Sequence, residues 1–98
     1  MAIAVIIELQ GTPADYQRLG EELGVMEEPP VGCVTHIAML TETGVRLVEA
    51  WESQEAFDTF VRDRLMPAQQ RLGGSTSSAP APQVYPVIYN VSLSNVST

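Results

Sequence analysis

The chain is poor in basic residues and in cysteine, and each shortage argues against a class of function. Of its 98 residues, 5 are Lys or Arg and 12 are Asp or Glu, so the formal net charge is −7. Such a surface repels nucleic-acid phosphates and anionic lipid, which argues against nucleic-acid and membrane-surface partners. The single cysteine, Cys33, cannot form an internal disulfide, which agrees with a reducing cytoplasm. Residues 1–9 are apolar but lack a basic region and are too short for a signal peptide, so we predict a cytoplasmic protein.

Motifs for nucleotide or metal binding are also missing from the sequence. It contains no glycine-rich phosphate loop, no dinucleotide fingerprint and no clustered set of metal ligands. What it does contain is a globular composition, with 45% hydrophobic and 17% charged residues. We therefore predict a single domain over residues 1–98, without a metal site.

The first part of the chain predicts a strand followed by a helix. Residues 3–9 form a β-branched apolar run typical of a buried strand. Thr12 can cap a helix, Pro13 suits its first position, and Asp15 completes a capping box. The predicted helix ends at Gly24, and its apolar stripe consists of Tyr16, Leu19 and Leu23.

The remaining sequence predicts a hairpin, a second helix and a last strand. Residues 31–41 and 44–52 read as strands joined by a turn at Glu42-Thr43. The further predicted segments are a helix from Ser53 to near Leu65, which Pro67 cannot continue, a short extra turn to Leu72, a flexible loop over 73–83 and a strand over 84–93. The order β-α-β-β-α-β is the ferredoxin-like α+β arrangement. Right-handed crossovers then place the first and third strands side by side in a four-stranded antiparallel sheet, with two helices on one face.

The strands are apolar on both faces, although two helices can cover only one. In the first strand Ile3, Val5 and Ile7 alternate with Ala4 and Ile6. An uncovered face of this kind exceeds the apolar patch that a soluble monomer usually exposes. We therefore predict a homodimer that packs sheet against sheet.

The two-residue turn places the only histidine opposite an unusual glutamate. Counting back from the turn puts His36 opposite Glu49 and Val34 opposite the only tryptophan, Trp51. A carboxylate beside an imidazole favours the imidazolium and fixes which ring nitrogen stays free. In an apolar pocket this pair can act as a general base, with Trp51 as a flat wall for an aromatic ligand.

A structural role for the same residues is an open alternative. His36 and Glu49 can form a cross-strand ion pair that sets register, with Trp51 as core filler. The other candidates for substrate binding are Tyr16, Phe57 and Tyr85, and core or interface packing is the alternative for both tyrosines.

The segments from Gly32 to His36 (G-x-x-x-H) and from Gly44 to Phe57 (GVRLVEAWESQEAF) resemble the dimeric α+β barrel superfamily. That superfamily includes cofactor-free antibiotic biosynthesis monooxygenases, polyketide cyclases and haem-degrading enzymes. The resemblance implies a cavity between helices and sheet, and Trp51 matches a tryptophan that often lines it. The quinone-forming monooxygenases pair that tryptophan with an asparagine, whereas this chain has none before Asn90. The haem degraders carry a histidine ligand on the second helix, where this chain has none, so we predict that no cofactor is used.

Two functions follow from the resemblance together with the polar pair. In the first, the protein is a small cofactor-independent tailoring enzyme, of the monooxygenase or cyclase type, for an aromatic or polyketide-like molecule. His36, with its basicity raised by Glu49, would then deprotonate a phenol or an acidic carbon of the substrate. In the second, the protein is a non-catalytic homodimer that binds a hydrophobic metabolite or has a structural role. An open apolar pocket containing His36 favours the first, and a fully packed space favours the second.

Overall fold

The strands and helices of the chain follow the predicted order in a computed structural model, which describes residues 1–73 and 81–90. The strands are β1 (Ile3–Gln10), β2 (Cys33–Leu40), β3 (Gly44–Trp51) and β4 (Gln83–Pro86). They form one antiparallel sheet in the order β2-β3-β1-β4. The ferredoxin-like fold and the adjacency of the first and third strands are therefore confirmed. No helix within the described ranges is long and apolar enough to cross a membrane.

One face of the sheet packs against the helices and forms the core. In β1 the side chains of Ile3, Val5 and Ile7 are buried on this face, while Ala4 and Ile6 on the other face are half-buried. The buried core cluster consists of Ile3, Val5, Ile7, Val45, Leu47, Trp51 and Phe57. Burial that alternates along β1 shows that a single chain covers only one face of its sheet.

Helix α1 (Pro13–Leu23) begins and ends as its sequence predicts. The Thr12 N–H donates to Asp15 Oδ2 at 2.9 Å, and the Asp15 N–H donates to Thr12 Oγ1 at 3.2 Å, which completes the capping box. These hydrogen bonds lower the pKa of the Asp15 carboxyl. The helix ends at Gly24, whose φ of 67° is left-handed. Because the start of α1 is fixed, Tyr16 in the first turns faces the sheet.

The sequence predicted that the second helix ends near Leu65, but the helical segment continues beyond this residue. Helix α2 (Gln54–Phe60) continues through a π-helical turn over Val61–Leu65 into α3 (Met66–Arg71). The Met66 N–H donates to the Val61 carbonyl, five residues back, which is the π spacing. A proline in an ordinary helix clashes with the carbonyl four residues earlier. The wider turn gives Pro67 the room it needs, so the helix is bulged and not broken.

The hairpin register is confirmed next to the turn and is wrong at its far end. Leu40 pairs with Val45 and His36 pairs with Glu49, as predicted. Beyond them the register shifts between Cys33 and Thr35, so that Cys33, and not Val34, lies opposite Trp51. A β-bulge of this kind inserts one extra residue into a strand, and nothing in the apolar pattern signalled it.

The chain enters this bulge through a close passage over the second helical segment. Gly32 has a φ of 89°, and its carbonyl accepts a hydrogen bond from the Glu52 N–H at 2.8 Å. A Cβ atom on Gly32 would lie 2.7 Å from the Cβ of Ala56. The passage therefore needs a residue without a side chain.

The predicted loop and last strand differ from the structure where it describes them. Strand β4 covers Gln83–Pro86, earlier and shorter than the predicted 84–93. Residues 74–80 of the predicted 73–83 loop, and residues 91–98, lie outside the described residues. Pro86 fits this edge strand because its missing N–H would point away from β1, and beyond it the Val87 N–H still donates to the Ala2 carbonyl at 2.9 Å.

Replacing Gly44 by alanine tests the closeness of β1 and β3 beside the hairpin turn. A Cβ on this buried glycine would collide with the Leu9 carbonyl oxygen and lie 3.1 Å from the Gln10 Cα. We expect Gly44→Ala to lower the free energy of unfolding by about 2 kcal/mol, measured by urea denaturation at fixed protein concentration.

The matched control is Gly20→Ala in α1, where an added Cβ meets nothing within 4 Å. Alanine is the better helix former, so this variant should gain about 0.5–1 kcal/mol. If Gly44→Ala has the same free energy of unfolding as the unchanged protein, β1 and β3 do not approach each other this closely at Gly44.

Candidate functional site

Four side chains on the helix-facing side of the sheet form one chain of hydrogen bonds. His36 Nδ1 lies 2.7 Å from Glu49 Oε2, and Trp51 Nε1–H donates to Glu49 Oε1 at 2.9 Å. The Tyr16 hydroxyl on α1 lies 2.6 Å from His36 Nε2. The strands supply the histidine, glutamate and tryptophan, and the helix supplies the tyrosine.

The burial of these groups is graded along the chain of hydrogen bonds. The Glu49 side chain is only 7% exposed, whereas that of His36 is 39% exposed. Both carboxylate oxygens of Glu49 have a donor, which is what a buried charge requires. Since a carboxylate only accepts, Nδ1 of His36 carries the proton that faces Glu49. In neutral His36 the lone pair is therefore on Nε2, toward Tyr16.

An apolar cavity of about 670 Å³ lies between the sheet and the helices and contains this chain of hydrogen bonds. Its volume is within the range usual for small-molecule sites. Both the sheet and the two helical segments supply apolar lining residues, which include Ile7, Leu19, Leu23, Leu47, Phe60 and Leu65. Tyr16, His36, Glu49 and Trp51 all contribute to the lining.

Aromatic rings form one wall of the cavity. The Trp51 ring centroid is 5.5 Å from that of Phe57 in an edge-to-face arrangement, and 5.3 Å from that of Phe60. Trp51 and Phe57 are buried, so packing holds the orientation of both rings, and the hydrogen bond to Glu49 also holds that of Trp51. A flat hydrophobic ligand would find a rigid surface here.

Cys33 also lines the cavity, because the bulge places it opposite Trp51. Burial raises the pKa of its thiol, and the negative charge of Glu49 raises it further. The thiol is therefore protonated at neutral pH and is a weak nucleophile there. We therefore interpret Cys33 as a small packing residue of the cavity wall.

The cavity has no permanent positive charge. The five basic residues of the sequence are all arginines, and none lines it. Four of the arginines pair with carboxylates, and Arg64 donates to the Leu23 carbonyl at 2.8 Å. Within residues 1–73 and 81–90, no group of three or more His, Cys, Asp and Glu side chains is arranged to hold a metal ion. The cavity therefore suits an uncharged ligand better than an anion.

The structure brings together five of the six predicted site residues. His36, Glu49, Trp51, Tyr16 and Phe57 all line the cavity. Tyr85 does not, and its assignment to this site is corrected. It pairs with Ala4 on β1, which places it on the sheet face away from the helices, where it is 51% exposed. The predicted strand assignment left the facing of Tyr85 open, because facing depends on the pairing of β4 with β1.

Sequence reasoning missed two features of the site. Phe60 was predicted only as part of the buried stripe of the second helix, with Phe57 three residues earlier, but it also contacts Trp51 and lines the cavity. The hydrogen bond between Tyr16 and His36 joins residues 20 positions apart, and no local pattern encodes it.

Comparison with known proteins finds relatives in structure and not in sequence. No family model matches the sequence. No curated protein matches it either. Among solved structures, Rv0793 from Mycobacterium tuberculosis superposes with a TM-score of 0.68 at 18% identity, covering 94% of this chain and 100% of that one.

Two further solved structures with this fold are of proteins named for an oxygenase activity. A proposed antibiotic biosynthesis monooxygenase from Chloroflexus aurantiacus J-10-fl gives a TM-score of 0.67 at 12% identity, over 94% of this chain and 98% of that one. A point mutant of SnoaB from Streptomyces nogalater, a cofactor-independent oxygenase, gives a TM-score of 0.58 at 12% identity, over 92% of this chain and 94% of that one. This chain therefore shares the ferredoxin-like α+β fold of these three solved structures, as its sequence predicted.

Proposed function

We propose that this protein is a small cofactor-independent tailoring enzyme, of the monooxygenase or cyclase type, that acts on an aromatic or polyketide-like molecule. The observation that carries the proposal is the Glu49–His36 pair opening into an apolar cavity of about 670 Å³. The cofactor-independent oxygenase activity in the description of SnoaB, a protein of the same fold, supports the oxidative form.

The proposed chemistry starts with removal of a proton from the bound substrate. A neutral phenol, or a carbon acid activated by a neighbouring carbonyl, loses a proton that ends on His36 Nε2, and the imidazolium is stabilised by the buried Glu49 carboxylate. In the oxidative form, the anion reduces dioxygen: one oxygen atom enters the product and the other leaves as water. In the cyclase form, the carbanion attacks a carbonyl carbon of the same molecule and closes a ring, while the carbonyl π bond breaks and its oxygen takes the proton back from His36.

The cavity supports an uncharged substrate for this reaction. A substrate carboxylate would meet the negative charge of Glu49 without an arginine to pair with. The rings of Trp51, Phe57 and Phe60 supply a surface on which an aromatic molecule packs.

A non-catalytic binding protein is the second candidate, and one observation favours it. Nε2 of His36 is occupied by the Tyr16 hydroxyl at 2.6 Å, and Glu49 has both oxygens occupied. A set of groups that satisfy one another in this way is also what a purely structural network needs. In that case the apolar cavity would hold a hydrophobic metabolite without acting on it.

The proposed assembly is a homodimer that covers the outer face of the sheet. This face carries Ile37, Met39 and Tyr85, whose exposed fractions are 50%, 39% and 51%. Half-buried Ile6 and Val48 lie between them on the central strands. A second copy would bury the patch, and Cys33, as a free thiol, suits the proposed cytoplasmic location.

Replacing Glu49 by glutamine tests the general base. The glutamine oxygen can accept from Trp51, but its NH2 group would then donate to His36 Nδ1 and move the imidazole proton to Nε2. We expect Glu49→Gln to slow oxidation of an anthrone by about 10²-fold, and His36→Gln by about 10²- to 10⁴-fold. Quinone absorbance and oxygen uptake would measure the rate, and aldol closure of a linear polyketide mimic would be assayed in parallel.

The control for these variants is Glu22→Gln, which removes a glutamate of α1 that pairs with Arg71 and does not line the cavity, and it should leave turnover unchanged. The non-catalytic alternative gives a different pattern. His36→Ala would then lower the free energy of unfolding by about 3 kcal/mol, because a buried carboxylate loses its partner, while anthrone binding stayed within about twofold. Such a result, with no turnover by the unchanged protein, would contradict the proposal that the protein is an enzyme.

Replacing Ile37 by glutamate tests the homodimer. Light scattering should give twice the chain mass of 10.6 kDa at low micromolar concentration for the unchanged protein. In a two-fold interface each substitution occurs twice, so Ile37→Glu would bury two unpaired carboxylates and yield monomers. Leu40→Glu, on the same strand but the other face and 74% exposed, should remain dimeric. A monomeric mass for the unchanged protein would contradict the proposed assembly.

A further inference from the structure

The Tyr16 hydroxyl occupies the position that a substrate would need in order to reach His36 directly. It lies 2.6 Å from Nε2, and the two rings are nearly parallel, with an interplanar angle of 10°. Tyr16 is half-buried, and both side chains line the cavity. The capping box at Thr12 sets where α1 starts and therefore the height of Tyr16 above the sheet.

The direction of this hydrogen bond follows from the partners of Glu49. With Nδ1–H donating to Glu49, neutral His36 has only a lone pair at Nε2, so the Tyr16 O–H must donate to it. The hydroxyl oxygen keeps its own lone pairs. These can accept a hydrogen bond from a molecule in the cavity.

We propose that Tyr16 is the catalytic residue that touches the substrate, and that the proton passes from substrate to Tyr16 Oη as the tyrosine proton passes to His36 Nε2. This inference rests on the proposed general-base function and deepens it. It also specifies the substrate class: an uncharged phenol or enol, whose acidic hydroxyl can donate to Tyr16.

The proton balance of this relay is closed. The substrate O–H bond and the tyrosine O–H bond break, while a new tyrosine O–H bond and an Nε2–H bond form. The products are a substrate oxyanion, a neutral Tyr16 and an imidazolium held by Glu49. Tyr16 then donates its new proton toward the oxyanion, so the same hydroxyl that accepts the proton also stabilises the charge it leaves behind.

The surroundings of Tyr16 suit a relay and not a free base. Burial raises the pKa of the phenol, and the negative charge of Glu49 raises it further. The charged and titratable groups that line the cavity with it are Glu8, Cys33, His36 and Glu49 on the strands, and no arginine is among them. Tyr16 therefore stays protonated at neutral pH and can give up its proton only as it receives another.

The test uses 4-nitrophenol as the probe, because its anion absorbs visible light and its neutral form does not. The probe is added at a pH about one unit below its own pKa, and the ionised fraction of the bound probe is read from absorbance. We expect the unchanged protein to ionise the bound probe. Tyr16→Phe keeps the ring but removes the hydroxyl, and should lower the ratio of anion to neutral bound probe by about tenfold or more.

Two variants separate the relay from the function on which it rests. His36→Gln should abolish the ionisation, and Tyr85→Phe, a tyrosine on the outer face, should leave it unchanged. If His36→Gln abolishes ionisation while Tyr16→Phe retains or increases it, Tyr16 only shields the histidine, so the relay is wrong and the general base stands. If the unchanged protein binds the probe only in its neutral form, or does not bind it, the general base and the relay are both wrong. Thermal melts of all variants verify that each is folded.

Discussion

The buried carboxylate of Glu49 is the group on which the organisation of the site depends. A charge that is nearly removed from water is tolerated only when its oxygens accept hydrogen bonds, and here one donor is the Trp51 indole and the other is His36. These two bonds orient the tryptophan wall and set the tautomer of the histidine. The tautomer in turn determines that Tyr16 donates to His36. One desolvated acid thus organises both the apolar and the polar part of the cavity.

The cavity lies between the points at which the helices contact the sheet and each other. Packing of Phe57 against Trp51 anchors α2, and the π-helical turn carries the helical segment past Pro67 without a break. Arg64 donates to the last turn of α1 and lies 5.7 Å from the Phe60 ring centroid, so it joins the two helical segments. Between these contacts the side chains leave an apolar space that the hydrogen-bonded residues border.

The charge distribution separates the two faces of the sheet. On the outer face Arg46 pairs with Glu8 at 2.6 Å. On the inner face the Glu49 carboxylate is held by neutral and titratable donors, and no arginine approaches it. An anion formed in the cavity would therefore be balanced only by a proton on His36. In the proposed reaction this ties the formation of the anion to its own proton transfer.

The sequence by itself determined the features that depend on local spacing. The capping box at Thr12, the order of strands and helices, and the pairing of His36 with Glu49 follow from residues a few positions apart or from a two-residue turn, and all are found in the structure. What only the tertiary structure decided are the features set by contacts between distant segments. The bulge that places Cys33 opposite Trp51 arises where Gly32 passes close to the second helical segment. The sheet face on which Tyr85 lies is set by the pairing of β4 with β1. The hydrogen bond between Tyr16 and His36 requires α1 to be packed against the sheet. No periodicity along one segment encodes such distances, because they result from how separate segments pack together.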